Sequence, residues 1–170
     1  GVGLLLDESI ADNITATAVQ VQGRFLKGGG ALALYDSKTA YEHAKSCISE
    51  FDIRCRGPEQ PVRRLSGGNQ QKVCLSRAFT LKPSLLFVSE PTRGIDVGAK
   101  DLVLHLLVQM NREQGTTIVL TSSELAELRR VCDRIAIIDG GQVAGILAPD
   151  APDVEFGLLM GGKKARGGAA

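Results

Sequence analysis

Four short stretches of this chain carry residue types that could do chemistry. The first is Leu65-Ser66-Gly67-Gly68-Asn69-Gln70-Gln71-Lys72-Val73, a serine and two glycines leading into a helical run through Thr80. A helix start built this way leaves backbone N–H groups and a hydroxyl facing outward, an arrangement that holds anions. Ser-Gly-Gly is also an ordinary loop and cap, so alone it leaves both readings open. The second stretch is Ser89-Glu90, at the end of the apolar run Leu85-Leu86-Phe87-Val88. Ligands of open α/β sheets gather at such strand ends, although a glutamate there can equally cap a loop. The third runs from Pro91 to Lys100, where Pro91 and Gly94 suit a rigid, sharply turned connection and Asp96 lies near the end of the turn. The fourth, Thr121-Ser122-Ser123-Glu124-Leu125, follows a second β-branched run.

Other candidates fall away. The glycines Gly28–Gly30 follow Lys27, and no GxxxxGK[ST] phosphate loop occurs anywhere in the chain, so they read as a flexible turn. His43 lies one step off a packing face and reads as a satisfied or solvated histidine, and His105 sits mid-helix in a packing or surface role. The cysteines Cys47, Cys55, Cys74 and Cys132 form no CxxC pair and read as buried reduced thiols, not as a zinc site. A net charge of +1 gives no electrostatic reason to expect nucleic acid. No run reaches the ~18 apolar residues of a membrane span, so any membrane role would come through partner subunits. The chain opens at Gly1 inside an apolar phrase and is expected to be a piece of a longer protein.

The elements that must position these stretches are legible in outline. Gly1 to Leu6 suits a strand end or a buried loop. Ser9 is an N-cap for a helix to about Val21, with Asp12 at the third helical position. Ser37 caps a second helix to Ile53 with Tyr41, Ala44, Ile48 and Phe51 on its apolar face. A polar loop, 54–64, delivers the chain to Ser66, and Pro83 stops the following helix. Leu85–Val88 has the unbroken apolar character of a buried parallel strand. A helix from Val97 to Glu113 ends at Gly115, and strands are expected at 116–121 and 134–138, with a short helix from Ser122 to Val131 between them. Gly140-Gly141 turns the last strand into a hairpin with 142–146, and Asp153–Met160 forms a final helix. This alternation argues for an α/β fold with parallel layers.

With these residues in place, a family resemblance can be stated. LSGGNQQKV resembles the signature motif of ABC-transporter ATPases, in the wording of bacterial monosaccharide (ribose/galactose/xylose-type) importers, and PTRGIDVGAK resembles their D-loop. GVGLLLDESIADNI is similar to the phrase after their Q-loop. TSSEL followed by CDRIAIIDGGQVAGI resembles the second ATPase half of fused importer subunits. The resemblance implies a P-loop NTPase fold: residues 1–82 in an α-helical signature subdomain, 83–150 in the C-terminal part of the RecA-like core, and 151–170 as a helix with a disordered tail. It implies ATP and Mg²⁺ as cofactors, another ATPase half, membrane permease subunits and an extracytoplasmic substrate-binding protein as partners, and a peripheral position on the cytoplasmic face of the bacterial membrane.

The family's site residues carry over unevenly. Ser66, Gly67, Gly68 and Gln71 match the signature, which serves a nucleotide held by the opposite half, and Asp96 matches the D-loop. Glu90 stands at the catalytic glutamate. Ser89 stands where the Walker B aspartate, a metal residue, belongs, and a hydroxyl brings no charge to balance Mg²⁺. Ser123 stands at the switch histidine and cannot carry the positive charge that a phosphoryl transition state rewards. The chain is therefore expected to donate its signature in trans, and to have negligible ATPase activity alone. A nucleoside- or riboflavin-type importer, or a soluble non-transport ABC protein, are the alternative readings.

Overall fold

The computed structural model describes residues 3–28 and 30–161, which leaves the expected tail after 161 outside the described residues. The chain forms two compact units, Gly1–Val119 and Leu120–Ala170. The helical region expected at 1–82 thus shares a unit with the first part of the expected core.

In the first unit, α1 (Ile10–Gln22) starts at Ser9, whose hydroxyl accepts from the Asp12 N–H at 3.0 Å and donates to the Asp12 carboxylate at 2.5 Å. This reciprocal cap is the one the sequence calls for. Residues 3–9 form an exposed turn, not a strand or buried loop. Asn13 anchors them: fully buried, it accepts from the Leu5 N–H at 2.8 Å and donates to the Leu5 and Ser9 carbonyls at 2.8 and 2.9 Å. Ile10, Ile14 and Ala18 face inward. A small hairpin, β1 (Leu26–Lys27) with β2 (Leu34–Tyr35), leads to α2 (Ser37–Glu50). Its cap is Asp36, not Ser37: the carboxylate accepts from the Thr39 N–H at 3.2 Å and is also held by Lys27 at 2.9 Å. Its buried face is Ala40, Ala44 and Cys47, continued by Phe51 at the C-cap, while Tyr41 is exposed.

The third helix, α3 (Gly67–Leu81), packs on α1. Its last carbonyls, which no helical N–H can reach, are taken by side chains after α1: Gln22 donates to Leu81 at 2.8 Å, and Arg24 donates to Thr80. Lys72 is buried on α3 and donates to the Asp52 carbonyl at 2.7 Å, fixing the turn after α2, where Asp52 has φ +46°. His43 is satisfied as expected. Its Nε2 lies 2.8 Å from the Thr80 hydroxyl, and burial, with Arg24 and Lys82 nearby, lowers its pKa.

After α3, β3 (Leu85–Ser89) and β4 (Thr117–Thr121) pair in one sheet, joined by α4 (Val97–Gln114). Thr117 N–H donates to the Ser84 carbonyl at 2.9 Å, so both strands begin at the same edge, as a parallel crossover requires. The expectation of a fully buried strand is not met. Leu85 and Phe87 are exposed and alternate with half-buried Leu86 and Val88, the period of a strand with one face more covered than the other. Inside α4, Val103, Leu104, Leu106, Leu107 and Met110 are buried, and His105 is exposed.

In the second unit, α5 (Leu125–Val131), β5 (Ile135–Asp139), β6 (Gln142–Leu147) and α6 (Asp153–Met160) surround Ile135, Ile137, Phe156 and Leu159. Gly140 and Gly141 both adopt positive φ, as a two-residue hairpin turn needs. The strand expected at 134–138 is β5, which makes the expected hairpin with β6; among the described residues its pairing is this antiparallel one and not a place in the parallel sheet. The Arg129 guanidinium stacks over Phe156 at 4.6 Å and pairs with Asp153 at 2.7 Å, tying α5 to the start of α6. Of the four thiols only Cys47 is fully buried, which raises its pKa to about 11. The other three are half-buried.

Candidate functional site

The start of α3 is built differently from the other capped helices. Ser66 has the extended backbone of an N-cap (φ −63°, ψ 158°), yet its side chain makes no cap bond to the helix. It accepts instead from the Asn69 side-chain amide at 2.9 Å. The other end of that amide, Asn69 Oδ1, accepts from the Arg54 N–H at 2.9 Å. The first helical amides, Gly67 to Asn69, therefore have no internal acceptor among the described residues, and Ser66 and Gly67 are exposed. Unmatched N–H groups at the positive end of a 15-residue helix suit a phosphate oxygen.

The loop at 91–96 lies against this helix start. Gln71 donates to the Pro91 carbonyl, and a Cβ added at Gly68 would stand 3.1 Å from Ile95 Cγ2. Only glycine at position 68 permits this approach without displacing Ile95. Pro91 and Thr92 are buried, Arg93 N–H closes a turn onto the Glu90 carbonyl at 3.2 Å, and Gly94 takes φ +77°. Asp96 then caps α4 by accepting from the Ala99 N–H at 3.0 Å, and that hydrogen bond lowers its pKa. The two sequence-predicted groups Ser66-Gly67-Gly68-Gln71 and Pro91–Asp96 are thus brought together in one unit.

Ser89 ends β3 on its exposed face, and Glu90 follows with φ +46°. A glutamate in the left-handed region costs of order 1–3 kcal/mol and is retained where surrounding structure fixes it. These residues do not fit Mg²⁺ unaided. Ser89 is neutral, and no group of three or more His, Cys, Asp or Glu able to hold a metal occurs among the described residues. Ser123 belongs to the second unit, exposed, two residues beyond β4. Its turn is fixed by Ser122, whose hydroxyl accepts from the Glu124 N–H at 3.0 Å and donates to the buried Glu127 at 3.1 Å. Asn69, Arg54, Ile95 and Glu127 were not singled out from the sequence. An amide three residues after an N-cap serine was the one local signal for Asn69, since that spacing reaches back to the cap.

The ABC transporter family profile matches residues 4–93. Among curated proteins, the chain is 42% identical over 163 residues to the ribose import ATP-binding protein of Lactococcus lactis subsp. lactis (strain IL1403), covering 95% of this chain and 32% of that protein. It is 38% identical to the nucleoside import ATP-binding protein of Lactococcus lactis subsp. cremoris (strain MG1363), covering 94% and 31%. The chain spans about a third of the length of these relatives. Its fold is similar to that of a dimeric ATP-binding cassette solved in a post-hydrolysis state with ADP and Pi. The TM-score is 0.72 and the identity 22%, over 88% of this chain and 60% of that one.

Proposed function

The chain belongs to the ABC transporter family of ATP-binding proteins, and from that premise we propose that it serves an importer by presenting its signature helix to ATP held by another ATPase half. The observation that carries this reading is the open start of α3, where Ser66 leaves its own helix uncapped. In the proposed complex the Ser66 hydroxyl and the Gly67 and Gly68 amides donate to γ-phosphate oxygens. Gln71, fixed on Pro91, holds the D-loop beside them, and Asp96 anchors the end of that loop to α4. Such preorganised donors act where charge develops during phosphoryl transfer. On the chain's own strand end, Glu90 would remain as a residual carboxylate beside Ser89, with Ser123 in place of an imidazole.

The cargo we propose is a monosaccharide, on the wording of the motifs and the likeness to ribose import proteins. A nucleoside is the second reading, supported by the likeness to nucleoside and guanosine import proteins. Permease subunits and an extracytoplasmic binding protein would be the partners, with the chain peripheral to the membrane at its cytoplasmic face. The 170 residues alone are expected to turn over ATP negligibly, since they contain no GxxxxGK[ST] loop. The test uses the intact subunit reconstituted with its permease. Ser66→Arg should abolish transport by filling the anion position with a cation, whereas Glu90→Gln should only reduce it. A lethal Glu90→Gln beside a tolerated Ser66→Arg would reverse the assignment of the two sites.

A further inference from the structure

We propose that Asn69 is a positioning residue that sets which way the Ser66 hydroxyl donates; this rests on the trans-donor reading above. The argument is one of hydrogen-bond polarity. A backbone N–H can only donate, so the Asn69 atom 2.9 Å from the Arg54 nitrogen is the amide oxygen. The amide nitrogen therefore faces Ser66 Oγ, also at 2.9 Å. An amide nitrogen can only donate, so Ser66 Oγ accepts there, and its single proton must point elsewhere. Among the described residues no acceptor takes that proton.

Two consequences follow from this arrangement. A serine at an N-cap ordinarily turns its oxygen onto the helix N–H groups, as Ser9 does on Asp12. The bond from the Asn69 side chain holds the Ser66 oxygen where it makes no cap bond to the helix N–H groups, and so leaves the end of α3 open. The hydroxyl is thereby presented as a donor, and the amides of residues 67–69 stay open beside it. The clamp reaches beyond the motif, because it is the Arg54 backbone, in the loop after α2, that fixes the orientation of the Asn69 amide. Arg54 and Asn69 together determine the donor direction of a residue neither of them replaces.

The test is a double-mutant cycle in the intact reconstituted transporter, reading ATPase rate at saturating ATP. Ser66→Ala and Asn69→Ala should each lower the rate roughly fivefold, the loss of about one hydrogen bond. The double variant should be no slower than Ser66→Ala, because Asn69 acts only through the hydroxyl. Losses that multiply, or an Asn69→Ala rate equal to wild type beside a lowered Ser66→Ala rate, would overturn the proposal and leave the trans-donor reading standing. A Ser66→Ala rate equal to wild type would remove that reading and this one with it.

Asn69→Asp guards against a folding artefact. It keeps the acceptor for Arg54 and places a carboxylate in the first helical turn, where it is favourable. Its unfolding midpoint without nucleotide should be unchanged or higher while its ATPase rate falls. In a crystal structure of Asn69→Ala, Ser66 Oγ should turn to within hydrogen-bond distance of the residue 69 N–H. An unmoved Ser66 would count against the proposal.

Discussion

Helices α1 and α3 both begin at a serine in the extended N-cap conformation, and they use it in opposite ways. Ser9 accepts from its own third helical N–H and donates to Asp12, so the start of α1 is closed. Ser66 makes no such bond, and its third helical residue holds it by a side chain instead. The closed end is further fastened by Asn13 and by the bridge from Ser9 to Pro61. The open end is backed by Gln71 on Pro91 and by Ile95 against Gly68. One serine stabilises the fold; the other is kept available.

The contrast can be broken by substitutions ranked by their effect on stability. Asn13→Ala should cost the most, about 2–3 kcal/mol, because it empties a fully buried site and removes the bonds from that side chain to the Leu5 and Ser9 backbone. Chemical denaturation of the intact subunit would show it as a lowered midpoint at unchanged slope. Ser9→Ala should cost about 1 kcal/mol, the usual worth of an N-cap, with transport following stability. Ser66→Ala should lie within about 0.5 kcal/mol of wild type, since no cap bond is lost, yet should impair transport. Equal destabilisation by Ser9→Ala and Ser66→Ala would erase the difference between the two ends.

The smallest effect is a pH dependence at a third helix start. The Thr39 hydroxyl and then Lys27 hold the Asp36 carboxyl down at about 2, against an ordinary 3.8. A depressed carboxylate adds stability that is complete above its unfolded pKa and is lost as pH falls through the folded one. The contribution should therefore fade between about pH 4 and pH 2, and Asp36→Asn should flatten that part of an acid-unfolding profile. The group is solvent-exposed, so salt should shrink the difference.

The helix starts also show how far the sequence could be read. Ser9, with Asp12 three residues on, announces its own cap, and the structure makes it. At α2 the pattern pointed to Ser37, one residue late, because Asp36 and Ser37 are both good caps and only the bond to Thr39 separates them. The unbroken apolar run Leu85–Val88 predicts a fully buried strand. Apolar character reports what a strand prefers against it, not whether a layer among the described residues covers both faces, and Leu85 and Phe87 remain exposed. Gly140-Gly141 marks a hairpin in the sequence and the structure makes it, whereas the α/β alternation alone does not tell that β5 pairs only with β6 among the described residues.

What the sequence alone determined is local: helix and strand order, the hairpin turn, the Ser66-Gly67-Gly68 helix start, and the serines at 89 and 123 where the family resemblance expects an acid and a histidine. Each depends on neighbours within about four residues, which is the range of caps, turns and periodicity. Tertiary structure decided the rest. Arg54 and Asn69 are 15 residues apart, Gln71 and Pro91 are 20 apart, and no spacing rule joins them. A hydrogen bond between distant residues forms only after packing has placed both groups, and it is packing that turned Ser66 from a cap into an outward donor.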